Sequence, residues 1–253
     1  MSARWIVSDI DGTLLDETER CPLPADFLVE VRATHRVVLA SSRTVEEIRE
    51  VAAALGWPAV PCIAEDGQVI VDGAGRVTRL GMTTAELLER LDRAALGTAA
   101  RAMMQPTPKR LASILIPAAA ASQFELGVPE AGIRVTMGGR WATITDARWN
   151  KGRAAIALLR EMHDPPWAAI GNGANDRSLL LAANQRFAIR EADGTHHPLL
   201  ATIPGVVLLT RLGPLGWPEM VSLLPTTPML PAEPEGRHAP SSLDHHRPHD
   251  SRA

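Results

Sequence analysis

Two aspartates near the start of the chain, Asp9 and Asp11, have the type and spacing needed for metal-assisted chemistry. They lie where a short apolar run ends, and such a run is typical of a buried strand in an open α/β sheet. Side chains alternate along a strand, so the two carboxylates would crowd one space at the strand end, where ligands of such sheets bind. Mg²⁺, which takes hard oxygen ligands, would relieve the repulsion, and the pair therefore predicts a magnesium site. A solvated acidic loop is the alternative.

Two further segments could bind a phosphate group. Ser41 and Ser42 follow another short apolar run and precede a helical pattern, so a hydroxyl and free backbone N–H groups would face an anion there. Capping of that helix by Ser42 and Thr44 is the simpler alternative. Lys151 starts a later helical pattern, where the helix dipole disfavours a cation unless an anion lies nearby. We therefore predict phosphate binding by Ser41, Ser42 and Lys151, with a solvated lysine as the alternative for the last.

The stretch from Ile170 to Asp176 reads as a short buried strand that runs into a Gly-bearing loop and a helix. Its polar side chains could complete the oxygen shell of Mg²⁺, and the predicted metal ligands are Asp9, Asp11, Asn172 and Asp176. Phosphoryl transfer needs a nucleophile, cations around phosphorus and proton handling on the leaving side. Four signals in this order, each at a strand end or helix start, indicate that chemistry.

The order of elements predicts an α/β fold with a parallel sheet. In the outer parts of the chain short apolar runs alternate with helical patterns, which is typical of a sheet with helices on both faces. The middle part has hairpin turns and an antiparallel α+β character, which indicates an inserted cap. The predicted units are a core in residues 1–80 and 149–224, a cap in 81–148, and a disordered Pro- and His-rich tail in 225–253.

Composition excludes several classes of protein. The chain has 253 residues, 45% of them hydrophobic, which is enough for a sizeable core, and its net charge of -3 gives no electrostatic case for nucleic acid or an anionic membrane as partner. No apolar run approaches about 18 residues, and no basic segment precedes a long apolar one, so we expect a cytoplasmic protein. Cys21 and Cys62 lack C-x-x-C spacing and imply neither a disulfide framework nor a zinc site.

Taken together, these motifs resemble those of the haloacid dehalogenase superfamily, type IIB, and most of all the mannosyl-3-phosphoglycerate phosphatase family. The four motifs in order are Asp9-x-Asp11, Ser41, Lys151 and Asn172-x-x-Asn175-Asp176. The stretches similar to that family are Ser41-Ser42-Arg43-Thr44-Val45-Glu46-Glu47 (S-S-K-T-x-x-E), Ile63-Ala64-Glu65-Asp66-Gly67 (I-A-E-N-G), Gly138-Gly139-Arg140-Trp141 (G-G-R-F), Asn150-Lys151-Gly152 (D-K-G) and Gly213-Pro214-Leu215-Gly216-Trp217 (G-P-x-G-W). The resemblance covers nearly the whole chain up to residue 224.

The resemblance implies a haloacid dehalogenase-like Rossmannoid core with a cap of the C2B type, and a Mg²⁺-dependent phosphatase of a small phosphorylated substrate. Asp9 would then be the nucleophile and form an aspartyl-phosphate. Asp11 would protonate the leaving alcohol and afterwards activate water. Arg140, at a cap turn, would bind the carboxylate or sugar of the substrate, because an arginine fork suits a carboxylate. An exposed hairpin arginine is the alternative.

Two departures from the family pattern keep other functions open. Asn172 stands where the family has aspartate, which removes one charge from the expected metal shell and should weaken Mg²⁺ binding. Residues 102–108 contain no clear counterpart of the family's R-E-x-S segment. A weakened relative that binds a phosphorylated metabolite as a sensor, or a phosphatase of other sugar phosphates, is therefore the alternative. The sequence does not determine the oligomeric state.

Overall fold

The computed structural model describes residues 5–104, 109–125, 132–138, 140–162 and 166–224. The strands are β1 (Trp5–Ser8), β2 (Arg36–Ala40), β3 (Cys62–Ala64), β4 (Val69–Val71), β5 (Val77–Arg79), β6 (Ser113–Pro117), β7 (Ile133–Gly138), β8 (Trp141–Asp146), β9 (Trp167–Gly171), β10 (Gln185–Arg190) and β11 (Val206–Leu212). The helices are α1 (Ala25–Thr34), α2 (Val45–Ala54), α3 (Thr84–Arg93), α4 (Gly97–Met103), α5 (Ser122–Glu125), α6 (Lys151–Arg160), α7 (Arg177–Ala182), α8 (Pro198–Ala201) and α9 (Gly216–Leu223).

A large sheet of eight strands has the order β11-β10-β9-β1-β2-β3-β4-β5. The neighbours from β11 to β3 are parallel, whereas β4 and β5 form an antiparallel hairpin at one edge. Strand β1 lies inside the sheet, because it pairs with β2 on one side and with β9 on the other. The carboxyl ends of β1, β2 and β9 therefore meet at the same edge, and the predicted α/β fold with a parallel sheet is confirmed.

Both faces of the large sheet are covered by helices because successive apolar residues of β1 point to opposite sides. Ile6 belongs to one buried cluster with Leu28 of α1 and Ile48 of α2. Val7 belongs to a second buried cluster with Leu158 of α6. Each such fully buried side chain contributes about 1.5–3 kcal/mol of transfer free energy. The two clusters hold the strand ends in fixed relative positions.

A smaller sheet lies between β5 and α6 in the chain, with the antiparallel order β6-β8-β7. One of its faces packs against α3 in a separate buried cluster that includes Leu87, Leu91, Phe124 and Ile144. This confirms the predicted inserted α+β cap. The exact unit limits, 1–80, 81–148 and 149–224, stay a prediction. The predicted tail, 225–253, lies outside the described residues.

The first helix of the cap is shorter than its apolar pattern predicts. The pattern predicts one helix over residues 84–96, but α3 ends at Arg93. Ala95 has a positive φ of 59°, and the N–H of Leu96 turns back to the carbonyl of Leu91 at 2.8 Å. The chain then starts α4 at Gly97 in a new direction, which local periodicity does not show.

The cysteines and the apolar character of the helices can be described directly. Cys21 is half-buried and Cys62 buried, and both are free thiols, in keeping with their spacing. Within the described part of the chain we find no helix with the length and apolar character that crossing a membrane requires.

Gly67 brings the segment after β3 against the start of α6. Its φ is +93°, and a Cβ atom there would lie 2.2 Å from the carbonyl carbon of Asn150 and 2.6 Å from the nitrogen of Lys151. Glu65 and Asp66, which precede it, also have positive φ angles of 52° and 56°. Such a conformation is unfavourable for residues with a Cβ atom and is kept only where surrounding contacts require it. This close approach fixes the backbone position of Lys151, from which its side chain extends.

Replacing Gly67 tests this constraint, with Gly56 as a matched control. Gly56 has a φ of +70° but no atom within 4 Å of its ideal Cβ position. Gly56→Ala should therefore lower the free energy of unfolding only by the cost of the left-handed backbone, about 1–2 kcal/mol. Gly67→Ala adds overlap with backbone atoms and should cost about 1–3 kcal/mol more. Urea denaturation of both variants measures this, and equal losses would contradict the close approach.

Candidate active site

The carboxyl ends of three neighbouring strands and the start of one helix carry the predicted site residues. Asp9 follows β1, Ser41 follows β2 and Asn172 follows β9, while Lys151 is the first residue of α6. Because the three strands are parallel neighbours, their polar ends share one edge of the sheet. The structure therefore places side chains that are far apart in sequence next to one another.

Lys151 lies at the centre of this site. Its Nζ atom donates to Oδ1 of Asp9 at 2.6 Å and to Oδ1 of Asp176 at 2.7 Å. The Lys151 side chain is 1% exposed, and the side chains of Asp9 and Asp176 are 6% and 0% exposed. One ammonium group thus faces two buried carboxylates, and the three groups would carry one net negative charge if both carboxylates were ionised.

Burial of two carboxylates beside one ammonium group changes the pKa values of these residues. Burial, followed by repulsion from Asp176, raises the pKa of Asp9 to about 8, although Lys151 opposes the shift. Burial acts to lower the pKa of Lys151, but attraction to Asp176 and Asp9 outweighs it and the pKa is raised. Lys151 is therefore a cation at neutral pH, and a further positive charge beside Asp9 would stabilise its ionised form.

Asp176 shapes the loop after β9. Its Oδ2 atom accepts hydrogen bonds from the main-chain N–H groups of Asn172 and Gly173, at 3.1 and 3.0 Å. A Cβ atom on Gly171 would lie 2.5 Å from Cγ of Asp176, so only glycine fits there. With Oδ1 bonded to Lys151, both carboxylate oxygens have donors in this structure. The role of Asp176 as a metal ligand stays a prediction.

Asn172 contacts the turn that follows β1. Its Oδ1 atom accepts a hydrogen bond from Oγ1 of Thr13 at 3.1 Å. Gly12, with a φ of +76°, passes so close that a Cβ atom there would lie 2.4 Å from Nδ2 of Asn172. The Asn172 amide therefore lies against the peptide segment that carries the main-chain carbonyl of Asp11.

Asp11 faces an arginine that the sequence analysis did not include among the site residues. The Arg43 guanidinium donates to Asp11 at 2.6 and 3.1 Å in a bidentate arrangement, and Ser41 Oγ donates to Asp11 at 3.4 Å. Glu19 is the second carboxylate near Arg43, at 3.7 Å. The Asp11 side chain is 46% exposed, so this ion pair lies at the mouth of the site. The sequence signal that points to Arg43 as a site residue is its place directly after the two serines.

The two serines after β2 have different surroundings. Ser41 is buried, and its Oγ accepts the N–H of Arg43 at 3.2 Å. Ser42 contributes its main-chain carbonyl, which accepts a hydrogen bond from Arg110 at 3.0 Å. The helix α2 is capped by Thr44, which forms a capping box with Glu47, so the Thr44 part of the capping alternative is confirmed. Phosphate binding by both serines stays a prediction.

Glu65 connects the cap to the large sheet. It is fully buried and accepts hydrogen bonds from the N–H groups of Leu111 and Ala112 at 2.8 and 3.0 Å, and from Ser113 Oγ at 2.6 Å. These three donors lie at the start of β6. In the sequence, Glu65 is notable only as part of a family motif. Its neighbours in the chain do not show which distant N–H groups donate hydrogen bonds to it.

Asp66 makes a second connection, directly beside the site. Its carboxylate accepts a hydrogen bond from Oγ1 of Thr143 in β8 at 2.6 Å and from Nδ2 of Asn175 at 3.3 Å. Its negative charge also helps to raise the pKa of Lys151. The cap sheet is therefore held over the strand ends by two consecutive acidic residues that the sequence analysis did not propose for the site.

Two cap arginines differ in their surroundings. Arg140, the predicted substrate residue, is exposed in the turn between β7 and β8, and its main-chain carbonyl accepts the N–H of Ala118 at 3.0 Å. Its role stays a prediction. Arg134 on β7 donates to the carbonyl of Trp149, and burial lowers its pKa while the charge of Asp66 opposes that shift. Arg134 therefore lies in the region between the cap and the large sheet, which its position in the sequence does not indicate.

The oxygen atoms of this site suit Mg²⁺ in type but carry little charge. Asp9, the amide of Asn172 and the main-chain carbonyl of Asp11 offer hard oxygen donors, and a bound cation would favour the ionised form of Asp9. Among the described residues, however, no three His, Cys, Asp or Glu side chains converge in a way that would hold a metal ion. The carboxylate of Asp11 faces Arg43 and that of Asp176 is fully bonded. The fit to Mg²⁺ therefore rests on one carboxylate and neutral oxygens.

The raised pKa of Asp9 gives a stability test. Because the folded protein holds this proton up to about pH 8, while the usual pKa is 3.8, the contribution of Asp9 to stability falls as the pH rises between these values. In EDTA, the melting temperature of Asp9→Asn relative to the wild type should therefore rise from pH 5 to pH 8. Asp26→Asn, at an exposed position of α1, controls for the loss of one charge. A melting-temperature difference that stays constant from pH 5 to pH 8 would refute the raised pKa of Asp9.

Comparisons with known proteins agree with this architecture. Residues 6–90 match the family described as haloacid dehalogenase-like hydrolase. A structure from Thermoplasma acidophilum is 14% identical, with a TM-score of 0.72 over 88% of this chain and 98% of the other. A structure from Bacteroides thetaiotaomicron, described among phosphatases of the HAD enzyme superfamily, is 18% identical, with a TM-score of 0.60 over 82% and 90%. A HAD subclass IIB sugar phosphatase is 16% identical, with a TM-score of 0.61 over 81% and 94%.

These identities are low, so the likeness to solved structures concerns the fold. The chain has three features of this architecture: a mostly parallel central sheet, an inserted cap and a sequence match that begins in β1. The protein therefore has the fold of the haloacid dehalogenase-like hydrolases, and residues 6–90 match that family in sequence.

Proposed function

We propose that the protein is a Mg²⁺-dependent phosphatase that hydrolyses a phosphomonoester of a small sugar-linked metabolite through an aspartyl-phosphate. The observation that carries this proposal is the buried Lys151 ammonium, held between Asp9 and Asp176 at the carboxyl edge of a parallel sheet. The family match of residues 6–90 and the phosphatases among the similar structures support the same reaction class.

Asp9 is the proposed nucleophile. Lys151 binds Oδ1, which directs the carboxylate and leaves Oδ2 for attack on phosphorus. A new bond forms between Oδ2 and phosphorus while the bond from phosphorus to the leaving oxygen breaks. Water then attacks the aspartyl-phosphate, the bond from phosphorus to Asp9 breaks, and inorganic phosphate leaves.

Asp11 is the proposed proton carrier. It gives a proton to the leaving alcohol oxygen in the first step and takes one from the attacking water in the second. Its pairing with Arg43 and Ser41 holds the carboxylate at the mouth of the site, where a leaving group would emerge. Arg43 thus acts as a positioning residue in this proposal.

Phosphate oxygens would be held by Lys151, Ser41 and Ser42, with main-chain N–H groups at the start of α2 as additional donors. Mg²⁺ would be held by Asp9, Asp11 and Asn172 with support from Asp176, and when bound it neutralises charge on the phosphate. Two buried carboxylates beside one ammonium group support a cation at this place, because both can be ionised together only with further positive charge nearby. A bound cation would also keep Asp9 ionised, as a nucleophile requires.

The proposed substrate is mannosyl-3-phosphoglycerate or a similar glycosyl-3-phosphoglycerate. The sequence stretches shared with that phosphatase family support it, and a HAD subclass IIB sugar phosphatase has a similar fold. Arg140 would bind the glycerate carboxylate.

A second candidate function is favoured by Asn172. With an amide at this position and no convergence of three acidic side chains among the described residues, the chain could bind a phosphorylated metabolite without efficient turnover. Such a protein would act as a sensor. Turnover separates this function from the first, because binding alone releases no phosphate.

Phosphate release provides the direct test. The purified chain with Mg²⁺ should release phosphate from one member of a panel that contains mannosyl- and glucosyl-3-phosphoglycerate and other sugar phosphates. Asp9→Ala should abolish release because the nucleophile is lost, while Asp26→Ala on the exposed face of α1 should not change it. Saturable substrate binding without release would favour the sensor, and release that survives Asp9→Ala would exclude the proposed intermediate.

Asn172→Asp tests the metal shell. A carboxylate at this position adds one charge next to Mg²⁺, and a unit charge a few Å away is worth on the order of 4 kcal/mol at an effective dielectric of about 20. Part of this is offset by desolvation, so we expect the dissociation constant for Mg²⁺ to fall by at least about tenfold. Titration calorimetry measures it. Asn184→Asp, where Oδ1 accepts the N–H of Trp167 at the opposite end of β9, controls for added charge. Equal affinity in the wild type and Asn172→Asp would remove Asn172 from the metal shell.

A further inference from the structure

A cavity of about 380 Å³ lies where the cap joins the large sheet. Two crossovers link these parts, residues 80–83 before α3 and residues 147–150 before α6, and both line the cavity. Its lining residues are Met82, Arg90, Gly132, Ala147, Arg148 and Arg153. The volume falls within the range of about 300–1,000 Å³ that is typical of small-molecule sites. We call it the hinge cavity.

Three guanidinium groups from three different elements line the hinge cavity. Arg148 is bonded to Asp146 at 2.7 to 3.1 Å and also lies within the electrostatic influence of Glu86, so its charge is balanced. Arg153 donates to the main-chain carbonyl of Arg148, which is a neutral acceptor. Within the described part of the chain, neither Arg90 nor Arg153 forms an ion pair.

Two arginines that form no salt bridge within the described part of the chain therefore line one concave space, one from each part of the molecule. Arg90 belongs to α3 of the cap, and Arg153 belongs to α6, which packs on the large sheet. A concave site lined by charges of one sign focuses the electric field and concentrates counter-ions. The arginine fork also matches two oxygens of a phosphate or carboxylate group. An oxyanion with two negative charges would balance both arginines.

We propose that the hinge cavity binds a small dianionic phosphate group between Arg90 and Arg153, at a site separate from Asp9. The bound anion links the cap to α6, whose first residue is Lys151, and so restrains both the cap orientation and the start of the helix that carries the central lysine. The ligand is an effector rather than a substrate, because none of the described lining residues provides a nucleophile. The site does not depend on which of the two candidate functions holds.

Calorimetric titration of the full chain with inorganic phosphate tests the site, in EDTA and at ionic strength held constant with sodium chloride. The double variant with Arg90→Ala and Arg153→Ala should lose one class of phosphate site, with binding there weakened more than about tenfold. The matched control carries Arg93→Ala and Arg160→Ala, which remove two charges from the same helices, α3 and α6. An unchanged isotherm in the first variant, or an equal loss in the control, would overturn the proposal.

Hydrogen–deuterium exchange locates the bound anion independently of any phosphate that enters the Asp9 site. Phosphate should slow exchange in α3 and in residues 147–155 of the wild type, and this protection should be absent in the Arg90→Ala and Arg153→Ala variant. Protection confined to the ends of β1 and β2 would place all binding at the Asp9 site and overturn the proposal. A parallel titration with glycerol 3-phosphate distinguishes the free ion from a phosphorylated metabolite by which of the two binds more tightly.

Discussion

The site depends on one ammonium group shared by two buried carboxylates. Lys151 is almost fully buried, and a charge in that position is tolerated only when opposite charges and hydrogen bonds surround it. Asp9, directly after β1, and Asp176, in the turn that follows the loop after β9, provide the opposite charges. Gly67 allows the start of α6 to approach closely enough for this contact. The packing of the sheet and the charge balance of the site are therefore set by the same residues.

The same interaction explains why the site would attract a cation and a phosphate group together. Burial, together with repulsion from Asp176 that the lysine only partly offsets, raises the pKa of Asp9. A divalent cation at this position would reverse the sign of the local charge and favour a dianionic phosphate. Asn172 reduces the number of charged oxygens available, which makes metal affinity the property most sensitive to this one residue.

Much of the fold follows from local patterns in the sequence. The short apolar runs that become β1, β2 and β9 are buried on both faces, and their periodicity with the intervening helices is enough to predict a parallel sheet. The capping box of Thr44 and Glu47 is likewise a local signal and is present. The end of α3 and the start of α4 were not predicted, because a left-handed residue at Ala95 reverses the chain without changing the apolar pattern.

The sequence by itself determined the order of the motifs and their places at strand ends and helix starts, because turns, caps and apolar runs depend on near neighbours. Only the tertiary structure decided the partner of each charged side chain. Asp11 pairs with Arg43 and Asp176 with Lys151, whereas Glu65 and Asp66 accept hydrogen bonds from the cap. These partners lie far apart in the chain, and side-chain direction and burial depend on the packing of whole elements. Residue type and spacing alone do not show which of these distant side chains come into contact.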